Sequence, residues 1–148
     1  MSGARLAAHA VRLLGPVEGP VAVAAPRRLA ARLATRLAPA RAGDVPAAAV
    51  VAFLGSRSGP AERQTLLAAL RDRLPAGATL VLLDHSQPRA LWRRALGVLD
   101  LAVRGLAASR ARYPAARELA ALGFGVERLR LASGERVQLI VARRRPAP

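Results

Sequence analysis

Apolar and polar positions change rhythm several times along the chain, and each change marks an element. Residues 4–14 carry Leu6, Ala10, Leu13 and Leu14 at helical spacing, and Gly15-Pro16 stops them. Val21 to Ala25 is a short unbroken apolar run ending at Pro26, the pattern of a strand buried on both faces. Residues 27–38 repeat Leu29, Leu33 and Leu37 every four positions beside a stripe of Arg28, Arg32 and Arg36, which predicts a helix that Pro39 ends. Residues 47–54 form a second apolar run, followed by a loop over 55–60. Residues 61–74 read as a helix with Leu66, Leu67, Leu70 and Leu74 on one face. After the turn Pro75-Ala76-Gly77, residues 78–83 make a third buried strand that ends at Asp84-His85. Pro88 fits the first turn of a longer helix, 89–111, and a short helix over 114–122 runs from Pro114 to just before Gly123.

The rhythm then switches to alternation. Gly125 to Leu131 and Arg136 to Ala142 alternate apolar and polar residues around Ser133-Gly134-Glu135, which predicts a β-hairpin. Apolar strands alternating with helices imply βαβ units. The fold class is therefore α/β: a mostly parallel sheet with helices on both faces and a C-terminal antiparallel β-hairpin. The length suits a single domain over 1–148, with 1–20 as N-terminal helix and linker and 21–148 as sheet and covering helices.

Composition narrows the chemistry. The 148 residues include no cysteine, which excludes disulfides, thiolate metal sites and a cysteine nucleophile. No apolar run reaches the ~18–20 residues of a membrane span, and the N-terminus has no long apolar stretch before a cleavage site, so the expected location is cytoplasmic. The net charge of +15 suggests a polyanion such as nucleic acid. Every basic residue is Arg, however, and the arginines are spread along the chain; Phe53, Trp92, Tyr113 and Phe124 are equally scattered. Nucleic-acid binding is thus at most a secondary property, because such modules usually add stacking aromatics.

From residue 44 onward the motifs fall into a familiar order. Leu74-Pro75-Ala76-Gly77-Ala78 leading into a strand that ends in Asp84, then a long helix, then Gly123-Phe124 opening the last hairpin, resembles the C-terminal half of class I S-adenosylmethionine (SAM)-dependent methyltransferases. The resemblance covers about two thirds of the chain and implies a Rossmann-like fold, with SAM as cofactor. It further implies that Gly43-Asp44 matches the family's Gly-Asp after its third strand, with Asp44 on the adenine amine, and that Phe53, Leu54 and Gly55 lie beside the methyl group; a helix-cap or loop aspartate near Pro46 is the favoured alternative for Asp44. The family's D-x-G-x-G loop, whose glycines let the backbone approach the cofactor, has no counterpart here. If Val21–Pro26 is the family's second strand, its ribose-binding acid has become Ala24 and the first strand is missing. A central gap would leave backbone groups unpaired, so strand 21–25 is expected to pair directly with strand 49–54.

The remaining candidates follow from the residues. Asp84 and His85 sit at the carboxyl end of a strand, where α/β sheets bind ligands, and are the only candidates for a catalytic acid or base. A strand-end aspartate capping the next helix is the commoner role. His9 has no second ligand at useful spacing, so no metal site is expected. Gly55-Ser56-Arg57-Ser58-Gly59 has Arg57 where a nucleophile elbow needs Ser. The 89–111 helix places Arg93, Arg94, Asp100 and Arg104 near one face and Leu91, Leu96, Leu99, Val103 and Leu106 elsewhere, which reads first as a half-buried helix with a solvated face and, as alternatives, as a cover over a substrate pocket or a helix lying on a membrane surface or a partner.

Together these readings predict a degenerate or truncated SAM-dependent methyltransferase with weak or lost cofactor binding. One alternative is an active methyltransferase on a small molecule. The other is a non-catalytic module that engages a partner protein or nucleic acid.

Overall fold

The computed structural model describes residues 2–54, 60–86, 91–103 and 115–146. Helix α1 (Gly3–Leu14) starts at Ser2, whose hydroxyl accepts from Arg5 N, and ends at Gly15 with φ 73°. Strand β1 (Val21–Ala24) is followed by α2 (Arg27–Ala34), four residues shorter than the leucine repeat predicts, because Thr35–Leu37 tighten into a turn. Then come β2 (Ala48–Ala52), α3 (Pro60–Arg73), β3 (Thr79–His85), α4 (described over Leu91–Val103), α5 (Ala115–Ala121), β4 (Phe124–Ala132) and β5 (Val137–Arg144).

The five strands form one sheet in the order β1-β2-β3-β5-β4. Strands β1, β2 and β3 are parallel, and β5 is antiparallel to both of its neighbours. Alternate residues point to opposite faces, as the strand period requires. Val21, Val50, Val81, Leu83 and Val141 face α1 and α2, whose Leu6, Leu14, Leu29 and Leu33 complete one core. Ala49, Val51, Leu80, Leu82 and Ile140 face the other way, where Leu67 and Leu74 of α3, Leu119 of α5 and Phe124 complete a second. Burial on both faces is why these strands read as unbroken apolar runs. Ala7 and Ala10 are fully buried, and their small side chains let α1 lie close over the sheet.

The expected pairing of the first two strands is present, from Val21↔Ala48 to Ala24↔Val51. The outer side of β1 holds a feature not expected. Val21 N donates to Ala38 O at 2.7 Å, and Ala40 N donates to Val21 O at 2.9 Å, so residues 38–40 lie parallel beside the start of β1. The chain therefore leaves β1 through α2 on one face, touches down outside β1, and crosses to β2 on the inside. From β2 it proceeds through α3 on the other face. With the bridge at Pro39 counted, the direction in which the chain crosses the sheet reverses at β1.

Two surfaces depart from the helix and strand patterns. The apolar side chains described on α4 are exposed: Trp92, Leu96, Val98, Leu99 and Val103. Among the described residues they join neither core; residues 104–111 lie outside the described range. Strand β4 is an edge strand with Val126, Leu129 and Leu131 partly open. Arg128, Arg130 and a bulge at Glu127 blunt that edge against pairing with another chain.

Candidate functional site

In an open parallel sheet, ligands bind outside the carboxyl ends of the strands where strand order reverses. Here that edge is formed by Ala24–Pro26 after β1, Phe53–Leu54 after β2 and Asp84–Ser86 at the end of β3.

Phe53 leaves β2 with φ 52°, a left-handed conformation that is strained for a bulky residue. Two contacts hold it there. Its N–H donates to Leu83 O at 2.8 Å, and its ring lies 4.8 Å from the His85 imidazole at an interplanar angle of 40°. The backbone of His85 is braced at both ends: its N–H donates to Asp84 Oδ1 at 2.8 Å and its carbonyl accepts from Gln138 Nε2 at 2.8 Å.

Beneath this edge sits a buried ion cluster. Arg63 of α3 donates through Nε to Glu118 of α5, at 2.9 Å to Oε2 and 3.2 Å to Oε1. Its Nη1 donates to Leu54 O at 3.1 Å. Its Nη2 lies 2.6 Å from Asp84 Oδ2, a close ion pair although bent away from hydrogen-bond alignment. The three side chains are 2%, 4% and 3% exposed, so one guanidinium faces two carboxylates out of water. An arginine fork suits this task, since its planar donors reach several acceptors at once.

The cluster separates the two candidate acid–base residues. Both carboxylate oxygens of Asp84 are engaged, and its side chain is enclosed. The half-buried His85 ring stands further out, against Phe53. Arg63 and Glu118 escaped the sequence reading, although a signal existed. Arg63 occupies the same helical stripe as Leu67, Leu70 and Leu74, and Glu118 lies beside the buried Ala115 and Leu119. Leu66, expected on that stripe, is instead 42% exposed.

Asp44 lies elsewhere. It precedes β2, at the amino edge of the sheet, where its carboxylate accepts from Arg41 N at 2.8 Å and its carbonyl from Arg73 Nη2 at 3.4 Å. It lines open hollows with Val11, Leu37 and Arg144, on the far side of the sheet from Phe53 and Leu54. The fold does not bring Asp44 together with those residues, because the loop 41–47 returns to the start of β2 and not to the end of a strand. Gly55 and the loop to Gly59 lie outside the described residues. His9 is on α1, with Nδ1 2.9 Å from Arg5 O. Among the described residues no group of His, Asp and Glu is placed to hold a metal, and no helix is long and apolar enough to cross a membrane.

The connection from β1 to α2 is short. It consists of Ala25 and Pro26, with Pro26 at the N-cap (φ −54°, ψ 142°) making no side-chain bond. Pro26 has no N–H, and its carbonyl accepts from Leu29 N and Ala30 N at 2.8 and 2.9 Å. No glycine stands between Gly19 and Gly43, and the exposed first residues of α2 are Arg27 and Arg28.

No family model matches the chain, and no curated protein matches it by sequence. Solved structures do match. The chain is similar to the pyocyanin biosynthetic protein PhzM (TM-score 0.66, 18% identity), covering 95% of this chain and 55% of that one. It is similar to the mitomycin 7-O-methyltransferase MmcR (TM-score 0.60, 17% identity), covering 96% of this chain and 52% of that one. The glycopeptide N-methyltransferase MtfA, solved with sinefungin, gives a TM-score of 0.59 at 15% identity over 99% and 95% of the two chains. MtfA has also been solved with S-adenosyl-L-homocysteine. The fold is therefore the Rossmann-like fold of the SAM-dependent methyltransferases. The chain spans about half the length of PhzM and MmcR.

Proposed function

We propose that this chain is a methyltransferase-like domain whose hold on SAM is weak or lost. The observation that carries the reading is the connection Ala25-Pro26 at the carboxyl end of β1, the strand flanked by β2 on one side and by the bridge to Pro39 on the other. That position is where the family's glycine-rich loop meets the cofactor's amino-acid end. On this reading β1 takes the place of the family's first strand, so the strand is kept and its loop is replaced. Ala25 and Pro26 carry side-chain carbons where a glycine would leave the backbone open, and Pro26 offers no donor. The adenine end fares no better, since Asp44 lies at the opposite edge. The residues present do not fit SAM in the family's manner.

The experiment is titration with S-adenosylhomocysteine and SAM, followed by calorimetry and thermal unfolding. A ligand at a hundred times its Kd stabilises by ~2.7 kcal/mol. For a chain of this size that raises Tm by roughly 5–11 °C. The expected result at millimolar ligand is no shift and no heat of binding. A shift of that size would overturn the reading and favour an active enzyme on a small molecule, the kind of substrate that the name of MmcR describes. The exposed apolar residues of α4 favour a second reading, a non-catalytic module that docks on another protein.

A further inference from the structure

We propose that Arg63 is a positioning residue for the Phe53–His85 pair. The proposal rests on the reading above only in placing the functional edge at the carboxyl ends of β2 and β3. Phe53 holds a strained backbone, and such a conformation persists only where its surroundings over-determine it. Its own N–H is tied to Leu83 in the neighbouring strand. The following carbonyl, Leu54 O, is tied to Arg63 Nη1. The same guanidinium grips Asp84 Oδ2, while Asp84 Oδ1 holds the N–H of His85. One buried side chain thus ties the exits of two neighbouring strands to each other, and these exits carry the two rings that meet at 4.8 Å. Glu118 fixes the third side of the guanidinium through Nε, so Arg63 cannot turn without breaking that bond. The outcome is an imidazole presented at the sheet edge in one orientation against an apolar ring.

The chain has only two histidines, His9 and His85, which makes the test direct. Proton NMR of the wild type should show two sets of imidazole resonances. The His85 set should be displaced by the Phe53 ring current and joined to that ring by a nuclear Overhauser effect. Phe53→Leu should move only the His85 set. Arg63→Lys keeps the charge and loses the fork. It should leave the His9 set and the core methyl resonances in place, shift the His85 set towards its position in Phe53→Leu, and abolish the ring–ring effect. If Arg63→Lys does not fold, the isosteric Glu118→Gln loosens the same guanidinium and should shift the His85 set in the same direction. A folded variant with unchanged His85 resonances overturns the proposal, as does the absence of the ring–ring effect in the wild type. No ligand is added, so the outcome is independent of whether SAM binds.

Discussion

Replacing Arg63 by Met should be among the most damaging single changes in this chain. The substitution keeps the unbranched stem of the side chain and removes the only cation of the cluster among the described residues. Asp84 and Glu118, 4% and 3% exposed, would then face each other without their guanidinium, and Leu54 O would lose its donor. Breaking a buried ion pair from one side costs about 3–5 kcal/mol, since the remaining charge stays out of water. That is a large part of the ~5–15 kcal/mol by which folded domains are stable. For a chain of this size it lowers Tm by roughly 6–20 °C. Urea denaturation followed by circular dichroism measures the loss as a fall in midpoint at unchanged slope. The decisive comparison is the neutral triple variant Arg63→Met, Asp84→Asn, Glu118→Gln. Removing all three charges together leaves none stranded, so more than half of the loss should return. The reasoning is refuted if Arg63→Met costs less than about 1 kcal/mol, or if the triple variant is no more stable than the single one.

The remaining predictions probe the core, a turn and the misplaced aspartate. Leu33→Ala, at a fully buried position of α2, should cost ~2–5 kcal/mol in the same assay, whereas Leu129→Ala on the open edge strand should cost less than about 1 kcal/mol. Gly123 closes α5 with φ 83° and open space where a side chain would point, so Gly123→Ala should cost ~1–2 kcal/mol from backbone strain alone. Asp44→Ala should lose at most about 1 kcal/mol with its turn bond to Arg41 and leave any heat of S-adenosylhomocysteine binding unchanged; altered binding would return Asp44 to the cofactor site.

Much of the architecture was legible because burial on both faces writes itself into composition. Val21–Ala25, residues 47–54 and 78–83 contain no charged residue, and the hairpin announces itself by alternation around Ser133-Gly134-Glu135. The expected pairing of β1 with β2 is present as well. Phe53, Leu54, Asp84 and His85 were visible as residues at strand ends, and the structure gathers them at one edge.

What the pattern left undecided is which end of the sheet a loop serves and which charges meet inside it. Gly43-Asp44 reads as a loop wherever it lies. Only the path of the chain past residues 38–40 and back to Ala48 puts it at the amino edge. Arg63 and Glu118 are 55 positions apart, and although Arg63 falls on the apolar stripe of its helix, nothing in the sequence pairs the two. Their burial becomes favourable only when α3 and α5 cover the same face and Asp84 and Leu54 O complete the partners. Local periodicity thus determined the strands, the helices and, Leu66 and the described part of α4 apart, the faces they bury, because those depend on neighbours in sequence. The buried ion cluster, the braced His85 and the closed loop at Pro26 were decided by the tertiary structure, because a charge or a strained backbone is stabilised by partners that only the folded chain brings within a few ångströms.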